Sequence, residues 1–195
     1  SRGNSAQDEQ ASIRGFGAPS TFGVRGVRLY MDGIPATMPD GQGQVSHFNL
    51  DTAERIEVLR GPFSALYGSS SGGVIELFTA DGSEPARIDV GLVGASHGFG
   101  RASVNARGAS GAFDYNAGFT HFRTDGWREH SAARRESGNA KLGWTLGNGG
   151  RLTVVANTLS IPEAQDPLGL THEQFDADPD QVAAVARLYD TRKSV

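Results

Sequence analysis

The run Glu54-Arg55-Ile56-Glu57-Val58-Leu59-Arg60-Gly61-Pro62 continues into Phe63-Ser64-Ala65-Leu66-Tyr67-Gly68 and decides the fold of this chain. Ile56 and Val58 alternate with charged residues, which is the period of a half-buried strand. Pro62 stands where a helix favours proline as its first residue, and Gly68 stands where a helix favours glycine as its stop. The run therefore predicts a strand followed by a short helical turn.

Two further strands are predicted around this run. Val27, Leu29 and Met31 alternate with polar residues up to the turn Asp32-Gly33-Ile34-Pro35, and residues 74–79 form an apolar stretch after a pair of glycines. The first part of the chain thus predicts an α+β unit, a mixed sheet with short helices.

Composition excludes several classes of protein. A net charge of −4 and a pI near 5.7, with scattered basic residues, argue against nucleic acid as a partner. The absence of cysteine excludes disulfides, thiol nucleophiles and cysteine-based metal sites. Hydrophobic content of 37% in 195 residues is below the usual globular share and predicts an incomplete core.

The polar turn at residues 81–85 ends in a proline and predicts a boundary, with one unit at 1–82 and another at 83–195. The second unit alternates apolar and small or polar residues in segments of strand length. Short turns at 108–111 and 147–150 contrast with long polar stretches at 123–137 and after 160. The alternating segments are 88–92, 102–106, 113–122, 141–146 and 152–159.

Segments of about 9 to 11 residues cross a bilayer when tilted, and short turns on one side with long loops on the other are typical of outer-membrane barrels. The second unit therefore predicts antiparallel strands of a transmembrane β-barrel. A soluble antiparallel sheet with one wet face uses the same alternation and remains an alternative. The aromatic residues near the predicted strand ends suit an interfacial girdle or an ordinary core: Phe113, Tyr115, Phe119, Phe122, Trp127 and Trp144.

Two elements before the opening run extend its pattern. Ser12-Ile13-Arg14-Gly15-Phe16 and Leu29-Tyr30-Met31-Asp32-Gly33-Ile34-Pro35 precede it, and Gly72-Gly73-Val74-Ile75-Glu76-Leu77-Phe78-Thr79 follows. Four such elements in this order resemble the plug domain of TonB-dependent outer-membrane receptors. The resemblance implies a plug inside a barrel in the outer membrane, with import of a large scarce ligand, most often a ferric siderophore.

The resemblance also implies partners. They are the inner-membrane TonB complex, reached through a TonB box that this sequence lacks, outer-membrane lipid, and a small-molecule metal chelate. Because the chain starts without a signal peptide and offers about five strands where plugged barrels have about 22, it is expected to be a piece of a longer receptor with an incomplete barrel. Such a piece would expose two strand edges and is expected to aggregate.

Site residues follow from the same resemblance. The resemblance places the loops at 15–23 and 37–47 at the ligand-facing apex of the plug. For each residue taken alone, the simpler interpretation is a position in a solvated loop without a role in binding. The candidate ligand-binding residues are Arg14, Phe16, Phe22, Asp40, Gln42, Gln44 and His47. The candidate ion pairs between plug and barrel wall use Arg14, Glu57 and Arg60, with ordinary exposed charges as the alternative.

The sequence gives only weak indications of a metal site, a cofactor site or a catalytic residue. The five histidines lack metal-site spacing, so no metal site and no intrinsic cofactor are expected, and iron would come only inside a bound siderophore. Ser70 fits a Gly-x-Ser-x-Gly pattern, but in the wrong order of strand and helix for a nucleophile, so no catalytic residue is expected. Asp178 and Pro179 predict the start of a short loop helix.

Two alternative functions remain open. One is a soluble extracellular β-rich binding module, and the other is a receptor of the same family for haem, cobalamin or oligosaccharide. A hydrolase built on Ser70 would need a base and an oxyanion hole that the sequence does not place.

Overall fold

The computed structural model describes residues 11–13, 15, 23–46, 48–62, 64–68, 70–188 and 190–194. The first part contains a four-stranded mixed sheet in the order β3-β2-β6-β5 and a separate pair of β1 with β4. The bounds are β1 Val24–Arg25, β2 Val27–Met31, β3 Ile34–Pro35, β4 Gln42–Gly43, β5 Ala53–Arg60, helix α1 Ser64–Tyr67 and β6 Gly73–Thr79.

The predicted strands and the helical turn of this part are confirmed. β2 runs parallel to β6, and β5 runs antiparallel to β6. One face of β2 packs into a small core of Ile13, Val24, Val27 and Leu29. The half-burial predicted for β5 is wrong, because β5 is the edge strand. Ile56 and Val58 are 49% and 50% exposed.

The second part is a six-stranded antiparallel sheet in the order β12-β11-β10-β9-β8-β7, so each strand pairs with its neighbours along the chain. A short helix, α2, lies between the last two strands. The bounds are β7 Arg87–Gly94, β8 Gly100–Ser110, β9 Phe113–Thr124, β10 Ala133–Thr145, β11 Arg151–Gln165, α2 His172–Ala177 and β12 Asp190–Ser194.

The sheet is open, as predicted, and has six strands where about five were predicted. No predicted segment covers β12, and the other strands are longer than the segments predicted for them. The stretch 133–137, predicted as loop, belongs to β10. Its residues Arg134, Arg135 and Glu136 are all charged, so they lack the apolar alternation by which a strand is recognised. The hydrogen bonds to β9 extend the strand through them nevertheless.

The predicted loop helix is misplaced. α2 begins after Thr171, which forms a capping box with Gln174, and Asp178 caps its C-terminal end instead of starting a helix. Residues 184–188 form a 3-10 turn. No helix in the described part of the chain is long and apolar enough to cross a membrane.

The two faces of the six-stranded sheet differ in chemistry. The inner face packs against the four-stranded unit and buries Asn105, Asn116, Thr120 and Asn139. The outer face carries large apolar side chains that are about half exposed or more: Ile88, Val90, Leu92, Val104, Phe119, Leu152 and Val154. This arrangement is inverted relative to a soluble sheet, because the polar face is covered and the apolar face is open.

Aromatic side chains gather at one end of the outer face. Phe113 stacks with Tyr115 at 6.1 Å between ring centroids, and Phe113 contacts Trp144 at 5.0 Å. Phe122, predicted with them, lies on the inner face and is buried with Leu159 and Ile161. Successive side chains of a strand point to opposite faces of the sheet. Phe122 is an even-numbered residue of β9, whereas Phe113 and Tyr115 are odd-numbered, so Phe122 points to the inner face.

Gly118 of β9 marks a close approach of the two units. A Cβ added to it would lie 2.5 Å from Cγ2 of Thr52, which is buried in the 3-10 turn Leu50–Thr52. The absence of a side chain at this position lets the first unit contact the sheet directly.

We predict that Gly118→Ala lowers the free energy of unfolding by about 1–3 kcal/mol, because the added methyl group overpacks this contact. Gly94→Ala in β7 is the matched control, since its Cβ would meet no atom within 4 Å, and its effect should stay within about 0.5 kcal/mol. Thermal unfolding in detergent micelles measures both. Equal effects of the two substitutions would contradict the close contact.

Candidate functional site

The loop at 37–43 folds as a tight hairpin on the first unit. The Met38 amide donates to the Gln42 carbonyl at 2.8 Å, and the Gly41 amide donates back to the Met38 carbonyl at 2.9 Å. Gly41 has a φ of 83°, which a residue with a side chain rarely adopts. Thr37 ties the hairpin to β2 by accepting a hydrogen bond from the Leu29 amide at 2.8 Å.

This hairpin brings together two of the predicted ligand-binding residues. Asp40 Oδ1 accepts a hydrogen bond from the Gln42 amide at 3.0 Å, and Gln42 Oε1 accepts one from Arg25 at 3.4 Å. Asp40 is exposed and Gln44 is half-buried just beyond β4. The hairpin thus presents a carboxylate and amides on a fixed turn. Arg14, Phe16, Phe22 and His47 lie outside the described residues.

The contact between the two units is built on Asp51. Its carboxylate forms an ion pair with Arg101 of β8, which reaches both carboxylate oxygens. Thr120 of β9 donates a further hydrogen bond to Asp51 Oδ2 at 2.6 Å. Asn49 caps the 3-10 turn by accepting from the Asp51 amide at 3.1 Å, so the carboxylate is held on a rigid turn.

Asn116 of β9 extends this contact to the backbone of the first unit. Its amide nitrogen donates to the carbonyls of Thr52 at 3.1 Å and Ala80 at 2.8 Å. Asn105 of β8 donates to Asn116 Oδ1 at 2.7 Å and thereby fixes the orientation of the Asn116 amide. The sheet therefore binds backbone carbonyls of the 3-10 turn and of the residue after β6 directly.

A second cluster of charges lies around Lys141 of β10. Its ammonium group donates to the Thr79 carbonyl at 2.8 Å and forms ion pairs with Asp81 at 2.8 Å and Asp32 at 3.4 Å. Asp32 Oδ1 also accepts from the Thr79 amide at 2.8 Å. Lys141 therefore holds the β2 turn, the end of β6 and the connecting segment together.

Arg151 of β11 adds a neighbouring pair. It contacts Asp114 of β9 at 2.8 Å and Asp81 at 3.4 Å. The Gly82 amide donates to Asp114 Oδ1 at 3.4 Å, so the connecting segment is bound along the inner face of the sheet.

The predicted plug–wall charges Glu57 and Arg60 sit on β5. Glu57 accepts a hydrogen bond from Arg55 at 2.8 Å, and this bond is the main cause of a raised pKa for the Arg55 guanidinium. Arg60 is exposed at the end of the strand. β5 is an edge of its sheet, and both residues are exposed on it.

The long connections of the six-stranded sheet are bound to each other. Arg128 donates to the carbonyls of Leu168 at 3.0 Å and Gln181 at 2.7 Å, and Glu129 pairs with Arg187 at 2.5 Å. Beside these bonds lies an open hollow of about 230 Å³. Its lining includes Trp127, Leu170, His172, Phe175 and Pro179.

Signals for other chemistry are absent from the part of the chain that the structure describes. No group of three or more His, Asp or Glu side chains there could hold a metal ion. Ser70 is fully buried between α1 and β6, which is the helix-then-strand order that the nucleophile elbow does not use.

Sequence reasoning missed Asp51, Arg101, Asn116 and Lys141. Each is a polar residue in a strand or turn, and the sequence alone does not distinguish a polar side chain that contacts another unit from one that contacts only water. The only available signal was the parity of the strands, since Asn105, Asn116 and Lys141 fall on the face opposite the large apolar residues.

Residues 1–75 match the family model of the TonB-dependent receptor plug domain. The chain therefore carries a plug domain of the TonB-dependent receptors, joined to an open antiparallel sheet. These receptors are outer-membrane proteins and the fold of this chain matches theirs, so the chain is assigned to the outer membrane.

Solved structures of this class share the fold. The siderophore receptor PirA of Acinetobacter baumannii matches with a TM-score of 0.66 and 18% identity, over 98% of this chain and 31% of PirA. The pyoverdine receptor FpvA of Pseudomonas aeruginosa PAO1 matches with a TM-score of 0.65 and 21% identity, over 83% of this chain and 24% of FpvA.

The copper transporter OprC matches with a TM-score of 0.61 and 19% identity, over 73% of this chain and 24% of OprC. The chain therefore spans less than a third of the length of these three structures.

We predict that Asp51→Asn lowers the free energy of unfolding by about 1–3 kcal/mol, because Arg101 loses a charged, partly buried acceptor. A double-mutant cycle with Arg101→Gln should give a coupling energy of about 1–2 kcal/mol. The exposed pair Arg87–Asp89 is the control, and Asp89→Asn should change stability by less than about 0.5 kcal/mol. Additive effects of the Asp51 and Arg101 substitutions would refute a direct contribution of this pair.

Proposed function

We propose that this chain is part of a TonB-dependent receptor that binds and imports a large scarce ligand, and that the ligand is a ferric siderophore. The observation that carries the proposal is the plug domain bound by polar contacts to the inner face of a lipid-facing sheet. In this proposal the plug comprises residues 1–82 and the barrel strands 83–195, and further strands would complete the wall.

The nature of the plug contact supports a transport role. The plug and the sheet are joined by ion pairs and hydrogen bonds rather than by an apolar core. These contacts are made by Asp51 on the plug and by Lys141 and Asn116 on the sheet. Water can replace such contacts one by one, so a polar surface can be separated at lower cost than an apolar one. A plug that must be held firmly and then moved by the TonB complex requires this property.

The ligand class rests on similarity. PirA and FpvA are siderophore receptors, whereas OprC is a copper transporter on the same fold. Because the same fold serves more than one kind of ligand, haem, cobalamin and oligosaccharide are alternative ligands of this proposal. The siderophore itself would carry the iron, and the chain would supply no cofactor and no catalytic residue.

The proposed ligand surface is the 37–43 hairpin together with the apex residues Arg14, Phe16, Phe22, Gln44 and His47. The exposed carboxylate of Asp40 and the amide of Gln42 stand on a fixed turn, which favours hydrogen bonding to a polar chelate because little side-chain freedom is lost. Plug–wall ion pairs of Arg14, Glu57 and Arg60 with strands beyond these six belong to the same proposal.

The proposal is tested on the native protein in its source cells. Outer-membrane fractions probed with an antibody against residues 125–132 should show a protein several times larger than 20.6 kDa whose amount rises under iron starvation. Cells lacking the gene should lose uptake of one iron-loaded siderophore. A band near 20 kDa in the soluble fraction would refute the assignment as a receptor. A protein amount that does not respond to iron, together with unchanged iron uptake in cells lacking the gene, would refute a siderophore as the ligand.

We predict that Asp40→Ala combined with Gln42→Ala weakens siderophore binding about tenfold or more in the full receptor, because two polar contacts of about 1 kcal/mol each are lost. Asn148→Ala, in the exposed β10–β11 turn, is the control and should leave the affinity unchanged. Binding is measured by quenching of intrinsic fluorescence on titration with the ferric siderophore. Equal affinities of the double variant and the Asn148→Ala control for the ferric siderophore would contradict a role of the hairpin in binding.

A further inference from the structure

Arg128 fastens the two long connections of the six-stranded sheet to each other. The first connection, 125–132, joins β9 to β10, and the second, 166–189, joins β11 to β12. The Arg128 guanidinium donates to the carbonyls of Leu168 at 3.0 Å and Gln181 at 2.7 Å. These carbonyls come from separate parts of the second connection, so one side chain ties both parts to the first connection.

Further contacts fix this junction. The Glu129 amide donates to the Asp180 carbonyl at 3.3 Å, and the Glu129 carboxylate pairs with Arg187 at 2.5 Å. Leu168 has a φ of 57°, a backbone conformation that residues other than glycine rarely adopt. Such a conformation persists where surrounding contacts over-determine it, and it is concentrated at functional sites. The two connections therefore form one pre-formed unit.

An open hollow of about 230 Å³ lies at this junction. Its lining contains Trp127 of the first connection and Phe175 of α2, whose surfaces are 48% and 53% exposed. Leu170 and Pro179 extend its apolar part. Pockets for a whole drug-sized ligand measure about 300–1,000 Å³. The hollow therefore has room for one ring-sized group and offers it aromatic surfaces on which to stack.

The titratable side chains in this lining are basic. They are Arg128 and His172. The Arg128 guanidinium lies 5.6 Å from the centroid of the Trp127 ring, so a charge stands beside an aromatic surface. Four of the five N–H bonds of Arg128 are directed at backbone carbonyls, which leaves one for a ligand. Arg128 forms no ion pair with a carboxylate in the described ranges of the chain.

The acidic side chains of the second connection stay out of the lining. Two of them bind neighbouring backbone amides, since Asp166 accepts from the Leu168 amide at 2.9 Å and Asp178 accepts from the Asp180 amide at 2.9 Å. An acidic group that enters the hollow therefore meets donors and not carboxylates. The acidic residues outside the lining are Asp166, Glu173, Asp176, Asp178 and Asp180.

We propose that this hollow binds a planar aromatic acid, either as an aryl arm of the transported metal chelate or as a free small molecule. Trp127 and Phe175 stack on the ring, while Arg128 and His172 donate hydrogen bonds to its acidic oxygens. Arg128 is also a positioning residue, because it joins the two connections that carry the rings. The inference rests on the proposed function for the receptor role, and it favours a catecholate or aryl carboxylate over a ring-free hydroxamate.

The first test uses the full receptor in neutral detergent and 2,3-dihydroxybenzoate as the free aromatic acid, with affinity measured by ligand-detected NMR. Trp127→Ala combined with Phe175→Ala should weaken binding about tenfold, because both stacking surfaces are lost. Leu188→Ala is the matched control and should leave the affinity unchanged. It removes an apolar side chain that is 77% exposed in the same connection but outside the lining.

An iron-loaded tris-catecholate chelate identifies the source of the ring. A tenfold loss of chelate affinity in the Trp127 and Phe175 double variant, measured by calorimetry, would assign the hollow to an arm of the transported chelate. An unchanged chelate affinity together with the loss for 2,3-dihydroxybenzoate would assign it to a free aromatic acid.

Two simpler probes separate the ring from the acid. Cyclohexanecarboxylate keeps the carboxylate without a flat ring, and catechol keeps the ring without the carboxylate. Each should bind the native receptor at least about fivefold more weakly than 2,3-dihydroxybenzoate, since each lacks one of the two kinds of contact.

Substitutions of Arg128 separate its charge from its positioning role. Arg128→Gln should abolish the preference for 2,3-dihydroxybenzoate over catechol and speed amide hydrogen exchange in the second connection. Arg128→Lys should keep the preference, because the charge remains, but should also speed exchange, because lysine lacks the planar fork that reaches separate carbonyls. Arg192→Gln, at an exposed position of β12 outside the lining, is the control and should change neither.

Three results would overturn the proposal. They are native affinity of the Trp127 and Phe175 double variant for both aromatic probes, an equal loss in Leu188→Ala, and equal binding of 2,3-dihydroxybenzoate and cyclohexanecarboxylate. Failure of the proposed function gives a different result. A receptor that binds 2,3-dihydroxybenzoate through the hollow but imports no iron chelate would overturn only the siderophore assignment.

Discussion

The polar contact between the plug and the inner face of the sheet is the interaction on which the rest of the structure depends. Asp51 and the carbonyls of Thr52 and Ala80 are bound by Arg101 and Asn116. Without this contact the sheet would expose polar groups on one face and apolar groups on the other, with no core between them. The plug takes the place of a core, and it does so with hydrogen bonds.

This arrangement explains why the hydrophobic content is low without the chain being unfolded. In a soluble domain the apolar residues would be enclosed, whereas here Val90, Leu92 and Phe119 lie exposed on the outer face of the sheet. One face of the sheet is apolar and open, and the other binds the plug through polar groups. The two small buried clusters, around Leu29 and around Leu159, therefore suffice.

The same inversion of faces links the candidate sites. Charges on the inner face hold the plug, and the 37–43 hairpin stands on the strand that the plug core fixes. Lys141 connects the β2 turn, the end of β6 and the wall in one cluster. A displacement of the plug from the wall would have to separate these ion pairs, which couples the hairpin to the wall through a short chain of contacts.

The sequence by itself determined the plug elements and the class of sheet, because local alternation and turn residues such as Gly33, Gly68 and Gly111 report local backbone geometry. It failed where neighbours along the chain do not decide the outcome. Arg134 to Glu136 extend β10 only because β9 supplies hydrogen bonds, and Ile56 is exposed only because β5 ends its sheet. The pairing of Asp51 with Arg101 joins residues 50 positions apart, and only the tertiary structure could choose that partner among many similar charges.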